Sequence, residues 1–225
     1  MKFNISIPTL NRKQKLINCI ASIIVAKKDN DISLNIYFNS EKELKEIHKR
    51  FNRFTWVHYH CLDNYRVPNF WNNILNKMKE DALIYLNDDV ELYSDTLNII
   101  NEQFTDKDSV MGINQINLGQ RGLDSAYGVI GSVYANRFPS KQVFCPDYFR
   151  FYADKELGEY AKSINKFKFC KEARINHLHP SIDSKYQDST HVIVRQWLGQ
   201  DKTIYNLRKD NNFLWGRDFN NLEIN

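Results

Sequence analysis

Residues 82–92 read ALIYLNDDVEL, an apolar run that ends in Asn87-Asp88-Asp89. Paired carboxylates at the end of a buried strand suit a divalent cation carried on a diphosphate. Mg2+ and Mn2+ are hard cations that take oxygen ligands, and when the substrate brings phosphates, one or two protein carboxylates complete the site. Acidic residues after a strand also make turns or cap the next helix. The pair therefore defines a chemistry that the rest of the chain has to support.

The elements that would position these carboxylates can be read from hydrophobic spacing. The run at 3–7 is a buried strand, and Pro8-Thr9-Leu10-Asn11 ends it before an amphipathic helix carrying Leu16, Ile17, Ile20, Ile23 and Ile24. A second strand at 33–38 stops at Asn39-Ser40. Residues 41–51 return to helical spacing with Leu44, Ile47 and Phe51 inward, and 56–60 is a third strand. A loop over 63–68 leads into a helix bearing Phe70, Ile74, Leu75 and Met78, and the strand at 83–86 then delivers the acidic pair. Strands alternating with helices imply right-handed βαβ units in a mostly parallel sheet, whose ligands bind beyond the carboxyl ends of the strands.

The second half is less regular. It predicts a helix over 94–104 capped by Ser94, strands at 110–113 and 127–134, a helix over 153–164, extended segments at 167–170 and 173–176, and a helix near 191–198. With no internal repeat or low-complexity linker, the reading is one domain over 1–180 and an extension over 181–225 packed on it.

The totals exclude several classes. At 225 residues with 42% hydrophobic and 13% aromatic content the chain can bury a core of its own. No run approaches the roughly 18 apolar residues of a membrane span, and the N-terminus turns polar after one short strand, so the expected location is the cytoplasm. Cys19, Cys61, Cys145 and Cys170 lie far apart, with no C-x-x-C pair, and are expected to be reduced and mostly buried. A net charge of +4 spread along the chain suits an anionic substrate and does not establish a nucleic-acid groove.

Four segments in order, ISIPTLNR (5–12), IYLNDDV (84–90), ADKELGEYAK (153–162) and EARINHLHP (172–180), together resemble the family 2 glycosyltransferases, inverting enzymes of the GT-A fold. The resemblance implies an α/β architecture, a Rossmann-like, mostly parallel sheet flanked by helices, and transfer from a nucleotide-diphosphate sugar donor to an acceptor hydroxyl with Mn2+ or Mg2+. It implies that Asp89 binds the metal, that Asp88 or Asn87 contacts the ribose or a metal-bound water, and that His177 completes the metal shell. His179, two residues on, is the alternative ligand, and a packed core histidine is the plain alternative for His177. Asp154 would be the base that takes the acceptor proton, with Glu156 its substitute; a carboxylate in a helix's first turn is also favoured by the helix dipole alone. Asp147 is a further carboxylate in the acceptor region, explained equally well as a turn residue after Pro146.

For the nucleotide, Pro8, Thr9, Asn11 and Arg12 correspond to the family's first loop, and Asn39, Arg66 and Asn73 are further candidates for the donor site, with Asn69 in the same polar stretch. The chain departs from the family where Asn39-Ser40-Glu41-Lys42 replaces an acidic loop, and a neutral amide there changes which base edges can be bonded. Gly128 and Gly131, with Tyr127 and Tyr134, are expected to shape the sugar pocket, and Trp197 or Trp215 to stack on an acceptor. The acceptor is expected to be a saccharide, with a protein or a modified DNA base as alternatives. Two other readings are weighed. A sugar nucleotidylyltransferase needs a glycine-rich phosphate loop, which PTLNRKQ lacks. A catalytically inactive nucleotide- or sugar-binding module would keep the fold without turnover.

Overall fold

The computed structural model describes residues 1–62, 66–122, 124–211 and 215. The first half alternates as its spacing predicts: β1 (Phe3–Thr9), α1 (Lys13–Lys27), β2 (Ile32–Phe38), α2 (Glu41–Phe51), β3 (Val57–Cys61), α3 (Val67–Lys77) and β4 (Ala82–Tyr85). Local chemistry sets the boundaries. The Ser40 hydroxyl accepts the Glu43 N–H to cap α2, and Pro68 stands in the first turn of α3, where a missing N–H costs nothing. Part of the expected loop over 63–68 lies outside the described residues, at 63–65.

The second half contains β5 (Val90–Leu92), α4 (Thr96–Gln103), β6 (Val110–Gln115), β7 (Gly128–Gly131), α5 (Ser132–Ala135), α6 (Ala153–Ser163), β8 (Phe167–His177), α7 (Ser189–Arg195) and α8 (Leu198–Asp210). Several expectations are corrected here. Asp95, not Ser94, precedes α4, and it makes no side-chain cap. The strand expected over 127–134 stops at Gly131, where the chain passes so close to the Lys107 carbonyl that it turns into α5. The two extended segments at 167–170 and 173–176 are one strand, joined by a register shift where β6 pairs with it between Ile113 and Asn114. Such a bulge lets a strand change course without ending. Three of the cysteines are buried, Cys61 is exposed, and all four are free.

The eight strands lie in the order β3-β2-β1-β4-β7-β6-β8-β5. Pairs β1–β2, β1–β4, β2–β3 and β6–β8 are parallel, while β4–β7, β6–β7 and β5–β8 are antiparallel. Side chains of β4 alternate between two cores: Ala82 and Ile84 pack with α1, α2 and α4, and Leu83 and Tyr85 pack with α3 and α6. The result is a sheet with helices on both faces.

The path from β4 to β5 fixes the shape of the site. In a flat sheet the two strands would stand four spacings apart, about 19 Å. The five residue steps from Tyr85 to Val90 reach at most about 18 Å fully extended, and a turn at Asp88-Asp89 shortens them. The sheet therefore curls until β5 returns to the end of β4, bringing β8 with it.

A Cβ on Gly131 would stand 1.9 Å from the Lys107 carbonyl oxygen. Gly131→Ala is expected to lower stability by about 1–3 kcal/mol, the usual cost of overpacking, read as a lower urea midpoint at unchanged slope. An unchanged midpoint would show that this contact yields freely.

Candidate functional site

The curl of the sheet assembles the site from distant segments. Thr9, at the end of β1, donates its hydroxyl to Asp88 Oδ2 at 2.8 Å. On the other side, β5 pairs with β8 so that Val90 faces His177, and the Leu178 N–H donates to the Asp89 carbonyl. Strand pairing alone thus sets His177 beside Asp89.

Arg12 stands between the two aspartates. One guanidinium nitrogen lies 3.1 Å from Asp88 Oδ1 and 2.9 Å from Asp89 Oδ2, and its Nε lies 3.1 Å from Asp188 Oδ2, with 2% of the side chain exposed. Lys15 reaches the same Asp188 at 2.6 Å and the Tyr186 carbonyl at 2.7 Å. Asp188 also caps α7 by accepting the His191 N–H. Burial opposes the Arg12 charge, but Asp89, Asp88 and Asp188 outweigh it and hold the group protonated. Burial raises Asp88, with Arg12 opposing and Asp89 adding. In Asp89 burial acts in the same sense, and Arg12 and Arg150 oppose it; His177 opposes it as well only when its ring is protonated.

A hydrogen-bond chain fixes the His177 ring. Gln115 directs its amide nitrogen at Asp124, 3.4 Å away, so its carbonyl oxygen faces His177 Nδ1 at 2.9 Å and accepts a hydrogen bond from the Nδ1–H. This assigns Nε2 as the lone-pair nitrogen. Nε2 takes the Tyr127 hydroxyl at 3.0 Å, and Tyr127 in turn takes an N–H of Asn87. Nε2 is also 3.6 Å from Asp89 Oδ1, a buried oxygen with no hydrogen-bond partner. A carboxylate oxygen and an imidazole lone pair facing each other form an acceptor pair that a cation satisfies, and this oxygen–nitrogen donor set suits Mn2+ or Mg2+. No group of three or more His, Cys, Asp or Glu among the described residues is arranged to hold a metal. A cation here would rest on Asp89 and His177 and take its remaining ligands from substrate and water. His179 bonds Ser181 instead, because β8 ends at His177 and the chain bends there.

Two cavities meet at this point. The larger, about 700 Å³, is lined by Asn87, Asp89, Asp124, Tyr127, Asp154, His177, His179 and His191. The other, about 520 Å³, is lined by Pro8, Thr9, Asn39, Arg66, Asp88 and Trp197. Arg12 and Arg150 line both. Asp154 starts α6, with the Ser125 hydroxyl donating to its backbone carbonyl. Burial, then the charge of Asp124, pushes its carboxyl up to about 6. The same cavity is walled by Trp71, Tyr85, Phe144 and Tyr152.

Other candidates are placed elsewhere. Asn11 is exposed, with φ at 55°, and Asn73 faces solvent on α3; neither lines a cavity. The buried amide is Asn72, which bonds the backbone of Phe144. Glu156, about 200° around the helix from Asp154, is buried and held by Arg208, Tyr148 and the Trp215 N–H, which leaves it no role as a base. Asp147 is exposed outside both cavities. Gly128 and Gly131 are close sheet contacts away from the cavities, not pocket walls. Trp215 binds the Gln142 carbonyl, and Trp197 stacks on Phe149 at 3.9 Å. Sequence reasoning missed Asp124, Arg150, Asp188 and His191. Only Asp188 had a local signal, an N-cap before Ser-Thr.

No protein-family model and no curated protein matches the chain. Solved structures do share its fold. S. aureus TarS 1–349 matches with TM-score 0.59 at 14% identity over 83% of this chain, and the same protein in complex with UDP matches with TM-score 0.59 at 15% identity over 78%. The mannosyltransferase PcManGT from Pyrobaculum calidifontis, in complex with GDP-Man and Mn2+, matches with TM-score 0.65 at 9% identity over 78%. This chain spans between 56% and 63% of the length of those three. The architecture is the GT-A type of glycosyltransferases.

Arg12→Met would leave Asp88 and Asp89 buried without their cation, and is expected to cost about 3–5 kcal/mol, measured by urea unfolding. Asp124→Asn removes a like charge beside Asp154. The Asp154 carboxyl, followed by carbon-detected NMR titration, is expected to move below about 6; no movement would show that burial alone sets it.

Proposed function

We propose that the chain is an inverting glycosyltransferase of the family 2 type, moving a sugar from a nucleoside-diphosphate donor to an acceptor hydroxyl. The observation that carries this reading is the arrangement of the larger cavity. It pairs the unsatisfied Asp89 Oδ1 with His177 Nε2 and also contains Asp154, whose carboxyl is pushed up to about 6.

The roles follow from the chemistry. The smaller cavity, lined by Pro8, Thr9, Asn39, Arg66 and Asp88, takes the nucleoside. Asn39 offers an amide, able to donate or accept at a base edge. Asp89 and His177 would hold a Mn2+ or Mg2+, which when bound would offset the charge of the departing diphosphate. Asp154 accepts the proton of the acceptor hydroxyl as its oxygen bonds to the anomeric carbon. The bond from that carbon to the diphosphate oxygen breaks with its electron pair on the diphosphate, and configuration inverts. A carboxyl titrating near 6 is ionised at neutral pH yet more basic than an ordinary aspartate, which favours proton removal. The aromatic walls of the cavity suit a saccharide acceptor, with an apolar sugar face laid on a ring. No helix among the described residues is long and apolar enough to cross a membrane.

UDP, GDP, TDP and CMP, each with and without Mn2+, test the reading by thermal shift. At about 100 times its dissociation constant the true donor nucleotide is expected to stabilise the fold by roughly 2.7 kcal/mol, with metal dependence lost in Asp89→Ala. Donor hydrolysis is expected to rise with pH through about 6, as Asp154 ionises, and to fall at least 100-fold in Asp154→Asn. Binding without turnover would favour an inactive module of the same fold, and no binding would overturn both readings.

A further inference from the structure

Two arginines are expected at the donor, and both are engaged: Arg66 lies over the Phe149 ring at 4.1 Å and donates to the Pro146 carbonyl at 3.5 Å. Arg12 is taken by Asp88, Asp89 and Asp188, and Lys15 by Asp188 and the Tyr186 carbonyl. Arg150 differs from them. It is half-buried, lines both cavities, and its guanidinium has no hydrogen-bonded partner among the described residues, while its field reaches Asp89 and Tyr127.

Its backbone, by contrast, is held with unusual force. Asp201, in the first turn of α8, is fully buried and spends its carboxylate on main chain alone. Oδ1 accepts the Phe149 N–H at 2.9 Å, and Oδ2 accepts the N–H groups of Arg150 and Phe151 at 2.9 and 2.8 Å. A buried carboxylate is costly unless such charge-assisted bonds offset it. These bonds fix the three residues that precede Tyr152, itself in the left-handed region with φ at 69°, and the Asp154 helix start. Phe149 is further clamped between Arg66, 4.1 Å away, and Trp197. The loop is thus held by its main chain, and the Arg150 guanidinium bonds none of the described residues.

We propose that Arg150 binds the donor diphosphate and receives its charge as the sugar leaves, and that Asp201 is the positioning residue that holds Arg150 at the junction of the cavities. This rests on the glycosyltransferase reading above and names the group that would carry one of its steps. As the anomeric carbon–oxygen bond breaks, the electron pair stays on the diphosphate oxygen, and a guanidinium fixed beforehand stabilises that charge without reorganising.

Calorimetry in the presence of Mn2+ tests it with UDP and GDP against uridine and guanosine. Wild type is expected to prefer the diphosphate that fits. Arg150→Ala is expected to weaken that diphosphate tenfold or more and leave the nucleoside unchanged, with the melting temperature lowered at most slightly, because the side chain bonds no described residue and acts on Asp89 through its charge alone. Asp201→Asn is expected to show the same diphosphate-selective loss, and the double variant to be no worse than Arg150→Ala, since residues acting through one another are not additive. Equal diphosphate affinity in wild type and Arg150→Ala would overturn the proposal and leave the glycosyltransferase reading standing. Additive losses, or a loss in Asp201→Asn shared by nucleoside and diphosphate, would overturn the positioning role. If Asp201→Asn does not fold, the Arg150→Ala comparison still decides the first part. No diphosphate binding by wild type would overturn the reading beneath both.

Discussion

The ion cluster around Arg12 is the constraint on which the site depends. Its guanidinium joins the loop after β1, the turn after β4 and the segment that opens α7. Two adjacent carboxylates buried to 2% exposure would repel each other and pay heavily for lost water without a cation between them. With Arg12 in place the pair is tolerated, and Asp89 still presents Oδ1 unsatisfied toward His177. The cluster also ties down the C-terminal segment through Asp188, with the Thr190 hydroxyl donating to the Leu10 carbonyl, so that α7 borders both cavities.

Charge is thus divided between structure and chemistry. Arg12 and Lys15 neutralise the protein's own carboxylates, and the carboxylate of Glu156 is committed to Arg208 and Tyr148. Groups that line the cavities outside these pairs include Asp89 Oδ1, His177 Nε2, the Asp154 carboxyl and the guanidinium of Arg150. The Gln115 amide links two of these neighbourhoods, touching His177 on one side and Asp124, beside Asp154, on the other. A change at Asp124 can therefore be felt at His177 through a single side chain.

The first seven elements were legible because each carries a clean hydrophobic period, although β1 runs through Pro8 to Thr9 where the turn residues predict an end at Ile7. β5 was not, since a three-residue strand has no period and is defined only by its partner β8. Gly131 read as a pocket residue because a glycine announces close approach without saying to what, and here the neighbour is the Lys107 carbonyl. Asn73 falls on the exposed face of α3 because the buried stripe that includes Trp71 takes Asn72 inward. The acidic turn, Asp154 and His177 stood out by residue type and order, and Asp89, Asp154 and His177 line one cavity while Asp88 lines the other. Asp188 and Asp201 could not stand out, because a first-turn or capping aspartate looks the same whatever it binds. Asp188 meets Arg12 across 176 residues of sequence, and Asp201 is recognisable only from the three N–H groups it gathers.

The measurement that bears most directly on this account is an anomalous-scattering crystal structure with Mn2+ and the nucleoside diphosphate that binds. The account expects manganese to be held by Asp89 Oδ1 and His177 Nε2 and the nucleoside to lie in the cavity lined by Thr9 and Asn39. A bound nucleotide with no manganese between those two atoms, or with manganese held elsewhere, would contradict it.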